Sequence, residues 1–120
     1  MTDQSKAHAF YTEELGFVTK LDFPAGEFRY LTVVSPQQPD GTQILLEPND
    51  NPVASTYQKG LYEAGLPCAV LSTSDIAAEY NRLQGLGVRF TQPPTPMGGG
   101  GPIIAVFDDT VGNLLQLVQA

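Results

Sequence analysis

Positive charge is scarce in this chain. Six lysines and arginines face 13 aspartates and glutamates, for a formal net charge of −7. A surface this acidic repels nucleic acid and anionic membranes, so neither is expected as a partner. Cysteine is nearly absent. The single Cys68 excludes an internal disulfide and suits a reducing cytoplasm, the expected location. Histidine is as rare. His8 falls on the first expected helix and reads as a surface residue, and no second histidine exists from which to build a Ser-His-Asp or Cys-His pair. Long apolar runs are missing, so no segment is expected to span a membrane. The opening "MTDQSKAHAF" lacks the basic-then-apolar order of a signal peptide. What is present is a globular composition, 42% hydrophobic and 16% charged over 120 residues. That is enough chain for one domain with a real core and no structural metal.

The residue pattern alternates helices and strands. Asp3 is positioned as an N-cap for a helix whose apolar spacing continues through Phe10 and Tyr11 and stops at Gly16. Strands are expected at 17–23, 28–35 and 42–48, the last ending in Glu47, with "AGE" and the turn-forming "PQQPDG" between them. A short helix is expected at about 55–64 and a strand at 66–72. A helix capped by Ser74 or Asp75 and terminated by Gly87 follows. Strands at 88–92 and 103–108 flank a flexible loop, "PPTPMGGGGP", and "NLLQLVQ" is the final strand. "MGGGGP" is not a phosphate loop, because a strand and not a helix follows it and it has no lysine. It reads as a mobile hairpin connection placed to lid a cavity.

The two halves repeat each other about 70 residues apart. "ELGFVTKLDF" answers "GLGVRFTQ", and "RYLTVVSPQQPDGTQILLEP" answers "PIIAVFDDTVGNLLQLVQ". With a two-residue indel in the turn, Glu47 stands opposite Gln116. The second half has a strand, "LPCAVLS", ahead of its helix, whereas only Met1 and Thr2 precede the first helix cap. The first strand of the first module is therefore expected to be short or missing. An open sheet edge is a liability that dimerisation would cover, and a homodimer is expected.

In order and spacing, "DQSKAHAFYTEELGF", "ILLEP", "SDIAAEYNRLQGLGVRF" and "FDDTVGNLLQLV" resemble a small single-domain member of the vicinal oxygen chelate superfamily, which groups glyoxalase, bleomycin-resistance and extradiol dioxygenase proteins. The resemblance implies an α+β fold in which two βαβββ modules form a curved mixed sheet around a cavity. It divides the chain into module one at about 1–50, a linker helix at about 53–64 and module two at about 66–120. It also implies that metal-dependent relatives draw four ligands from four strand positions. On this chain the first position has no residue. The second falls at Glu47, which matches. The third falls at or next to Cys68, where a histidine is usual, and the fourth falls at Gln116, where a glutamate is usual.

A divalent site of that kind needs three or four nitrogen or oxygen ligands around an open position. One carboxylate and one amide remain, so no metal cofactor is expected, and Cys68 among Pro67, Ala69 and Val70 reads as a small buried hydrophobe. The expected function is small-molecule binding. The alternative is a metal-dependent glyoxalase-type lyase or extradiol-type dioxygenase with a degenerate site holding Zn, Ni, Mn or Fe. Tyr30, Glu47, Cys68, Phe107 and Gln116 are the expected ligand-binding residues. Tyr30 and Phe107, on equivalent strands, are the candidates for stacking on an apolar ligand. Glu47 is the best candidate for a general base, if burial raises its pKa, and a solvated strand-end carboxylate is the other reading. Gln116 either orients a ligand or is a buried amide bonded to neighbouring backbone. Asp108 and Asp109 are adjacent and face opposite ways, and Asp109, Thr110 and Gly112 read as the turn into the last strand.

Overall fold

A computed structural model describes residues 1–120 and has mixed α+β architecture with two separate sheets. The chain divides into two compact units, Met1–Thr56 and Tyr57–Ala120. The boundary falls inside a helix.

The first unit opens with α1, Gln4–Ala9, capped by the Asp3 carboxylate accepting from the Lys6 N–H at 3.0 Å. The helix runs on as a π-helical turn, Phe10–Glu14, and ends at Gly16, whose φ of 86° suits glycine. Three strands follow, β1 (Val18–Ala25), β2 (Phe28–Val34) and β3 (Ile44–Leu45), in the order β1-β2-β3 with antiparallel neighbours. One face of this sheet lies under α1. It carries Leu31, Val33 and Leu46, all essentially buried. Gln4 fastens the helix there: its Nε2 donates to the carbonyls of Arg29 and Leu46, and its Oε1 accepts from the Arg29 N–H.

Helix α2, Pro52–Glu63, buries no residue and contains the boundary between the units. The second unit continues with β4 (Ala69–Ser72), α3 (Ile76–Gly85), β5 (Phe90–Pro96), β6 (Ile103–Asp108) and β7 (Leu114–Gln119). Its sheet order is β4-β7-β6-β5, with β4 parallel to β7 and the other pairs antiparallel. Asp75 caps α3 by accepting from the Ala78 N–H. The core lies between α3 and the sheet, where Tyr80 meets Phe90 edge-on at 4.7 Å and Phe90 meets Phe107 at 5.4 Å.

Two expectations are corrected. "PPTP" is not loop: β5 extends through Pro96, which an edge strand tolerates because one side of it makes no ladder bonds. The loop is only the hairpin connection closed by the Met97 N–H donating to the Pro102 carbonyl at 3.0 Å. The strand expected at 42–48 is in ladder register with β2 only at Ile44–Leu45, with one further bond from the Leu46 N–H to the Leu31 carbonyl. The first sheet has three strands and the second has four.

Candidate functional site

Directly paired strand residues share a sheet face, so register decides what each face presents. In the first unit Leu21 pairs with Thr32, Phe23 with Tyr30, Ala25 with Phe28 and Thr32 with Leu45. These residues form the face opposite α1. Two residues beyond Leu45, the same alternation brings Glu47 to that face. Leu21, Phe23, Phe28, Tyr30 and Leu45 are all exposed there, with Phe23 at 49% and Tyr30 at 41%. Phe23 and Tyr30 lie stacked, with centroids 5.2 Å apart and ring planes 20° apart. Thr32 supplies the polar centre: its hydroxyl donates to Gln43 Oε1 at 2.8 Å and accepts from the Leu21 N–H at 3.2 Å. The arginine of the hairpin is turned elsewhere, and Lys20 pairs with Asp40 at 3.2 Å. Arg29 pairs with Pro24 on the helix side and grips Asp22 through two bonds at 3.0 and 2.7 Å. That grip holds the Asp22 carboxyl below its usual range.

Glu47 is exposed, not buried as a general base would need, and its backbone carbonyl accepts from the Met1 ammonium at 2.9 Å.

In the second unit Gln116 pairs with Val70 on one side and Val106 on the other. It is half-buried. No side-chain hydrogen bond of the chain reaches its amide, and no polar side-chain atom is buried without a partner. Gln116 is therefore not a structural amide tied to neighbouring backbone; its amide is held between two valines and left free to bond elsewhere. Phe107 requires a correction. Its register partners are Phe90 and Leu115, on the face against α3, and it is wholly buried. The residue on the Gln116 face is its neighbour Val106. A one-residue offset on a strand reverses the face, and the repeat alignment alone does not resolve that offset.

Cys68 also departs from expectation. It is exposed, not a buried hydrophobe, and precedes β4 with its N–H donating to the Leu114 carbonyl. The sulfur is nonetheless sheltered enough that burial, followed by the Asp109 charge, pushes its thiol up. The thiolate needed for a metal bond is disfavoured on both counts. No group of three or more His, Cys, Asp or Glu side chains is arranged to hold a metal ion.

The sequence reading missed one polar cluster. Asp108 accepts from the Tyr62 hydroxyl, from Arg89 at 2.8 Å and from the Thr110 N–H at 2.7 Å. Burial pushes the Asp108 carboxyl up, but those three bonds and the Arg89 charge outweigh it and hold the group below its usual range. The bond to Asp108, with burial, raises the Tyr62 pKa. Asp109 is fully buried and accepts from the N–H groups of Val111 and Asn113 and from Asn113 Nδ2, which builds the turn into β7. Every acceptor in the cluster is engaged, so it reads as a latch from α2 to β6 and not as a reacting centre. Residues 62, 89 and 108 carry no shared sequence signal; only folding brings them together.

Residues 1–117 match the family described as Glyoxalase/Bleomycin resistance protein/Dioxygenase superfamily. The chain belongs to that superfamily. Among its relatives, the uncharacterized protein YurT of Bacillus subtilis (strain 168) is 55% identical over 117 residues, covering 98% of this chain and 91% of YurT. The crystal structure of UcmS2 is similar at 31% identity with a TM-score of 0.83, over all of this chain and 92% of that one. TnmS3, an antibiotic binding protein from Streptomyces sp. CB03234, shares 28% identity with a TM-score of 0.74, over 99% of this chain and 88% of its own. No helix of the chain is long and apolar enough to cross a membrane.

Proposed function

We propose that this superfamily member binds a mostly apolar, planar small molecule and does so without the family's metal. The carrying observation is the exposed Phe23–Tyr30 stack on a sheet face that also bears Leu21, Leu45 and Glu47. Monomeric proteins rarely leave such surface open without use. Two rings already parallel offer a third ring an offset-stacking surface. The polar handle of this sheet face is Glu47, exposed two residues beyond Leu45. Small-molecule sites combine apolar walls with a few placed polar groups in this way. The net charge of −7 favours a neutral or cationic ligand over an anionic one. The likeness to an antibiotic binding protein supports the same reading.

A thermal-shift screen of planar aromatic antibiotics and small oxo-acids, followed by calorimetric titration, tests it. Replacing Tyr30 or Phe23 by alanine should weaken the best ligand about three- to tenfold, the worth of one aromatic contact. Unchanged affinity in both variants refutes the placement. Elemental analysis showing one Zn, Fe, Mn or Ni per chain, lost in Glu47→Ala, refutes the metal-free reading. The exposed sheet face also supports a homodimer, and a monomer mass by light scattering across micromolar concentrations refutes that part.

A further inference from the structure

We infer that the aromatic face of the first sheet selects a planar organic cation whose positive charge is carried on the ring system itself. This names the ligand class of that face and rests on the small-molecule reading above. Thr32 pairs with Leu45, and the Leu46 N–H donates to the Leu31 carbonyl. The β2-β3 register therefore continues past β3 and sets Tyr30 opposite Glu47. On its other side Tyr30 stands opposite Phe23. Phe23, Tyr30 and Glu47 form one row across the sheet, each about 4.5–5.5 Å from the next at Cβ. Leu21 and Leu45 border the row on one side and Phe28 on the other.

Phe23 covers one face of the Tyr30 ring, with centroids 5.2 Å apart. The other face of that ring is turned toward the strand that bears Glu47. An aromatic face is the negative side of the ring quadrupole, and the carboxylate beyond it adds a full negative charge. A cation lying between them is attracted from both sides. Glu47 is exposed and forms no salt bridge within the chain. Arg29, next to Tyr30, faces the helix side and is held by Asp22. A flat, delocalised cation gains most from this row. It is weakly hydrated, as a guanidinium is, so it loses little water on leaving solution. Its rings also cover the exposed Leu21, Leu45 and Phe28. A flat anion is repelled by the same two groups, and a neutral ring gains the stack alone.

The probes are N-methylacridinium, a flat tricyclic cation, and acridine, its uncharged counterpart in mildly alkaline buffer. Fluorescence titration of the whole chain gives both affinities, and their ratio is the readout. Wild type should prefer the cation about three- to thirtyfold, the worth of one exposed cation–π contact and one exposed ion pair together. Glu47→Gln should cut that ratio about two- to fivefold. Tyr30→Leu should weaken both dyes and cut the ratio as well. Glu13→Gln removes an equal charge from the exposed turn that follows α1 on the helix side, and should leave the ratio as it is. Equal affinity of wild type for the two dyes overturns the inference and leaves the stacking reading standing. A ratio unchanged in Glu47→Gln, or cut as far in Glu13→Gln, assigns the preference to overall charge and overturns the inference too. Binding of neither dye overturns the stacking reading itself, and the cation with it.

Discussion

Gln116→Leu separates the two readings of that residue. The amide sits half-buried between Val70 and Val106 and receives no side-chain bond from the chain. Its removal forfeits no internal hydrogen bond, and leucine is close in volume. Stability should therefore change by less than about 1 kcal/mol in either direction. Ligand binding should respond differently. A ligand carbonyl or hydroxyl left facing leucine loses its partner at a cost of roughly 1–3 kcal/mol, a five- to hundredfold loss in affinity. Gln58 provides the internal comparison. Its Nε2 donates to the Val111 carbonyl at 3.2 Å and to Asn113 Oδ1 at 2.9 Å, so Gln58→Leu strands two acceptors in the turn before β7. That variant should lose about 1–3 kcal/mol. Urea unfolding of both variants, with calorimetric titration of Gln116→Leu, makes the measurement. If Gln116→Leu is destabilised as much as Gln58→Leu, the amide is structural after all. If its affinity matches wild type, the residue does not touch the ligand.

Three further outcomes follow from the second unit. Tyr62→Phe removes the hydroxyl that donates to Asp108 while Arg89 and Thr110 still hold the carboxylate, so unfolding free energy should fall by about 0.5–1.5 kcal/mol. The Asp108 carboxyl has its pKa lowered on folding, so its contribution is present above the unfolded pKa and is lost as pH falls through the folded value. The stability gap between wild type and Asp108→Asn should thus be full near neutrality and shrink below about pH 4; a gap unchanged down to about pH 2.5 would sink this account. Thr110 holds φ at 68°, a left-handed conformation costly for a β-branched residue. Thr110→Gly should gain about 0.5 kcal/mol in a thermal melt after glycine's added unfolded-state entropy is subtracted, and a loss of stability would show that the threonine side chain is supporting the turn.

The sequence alone determined the repeat, and through it the superfamily, because recurring caps, glycine stops and apolar periods are local features that survive without coordinates. Asp3 and Asp75 cap the helices that their spacing foretells, and the strand at 103–108 lies where its apolar run places it. Tertiary structure alone decided which way each side chain faces. Phe107 and Val106 are equally apolar neighbours, and only the β5-β6-β7 register sends the first against α3 and the second beside Gln116. The Phe23–Tyr30 stack depends on the β1-β2 pairing, whose register shift between Thr19 and Leu21 no apolar count reveals. Tyr62, Arg89 and Asp108 meet through contacts remote in sequence. Periodicity along a chain encodes what an element is. Register between strands, set by hydrogen bonds to a partner, encodes what its faces can touch, and that information is not local.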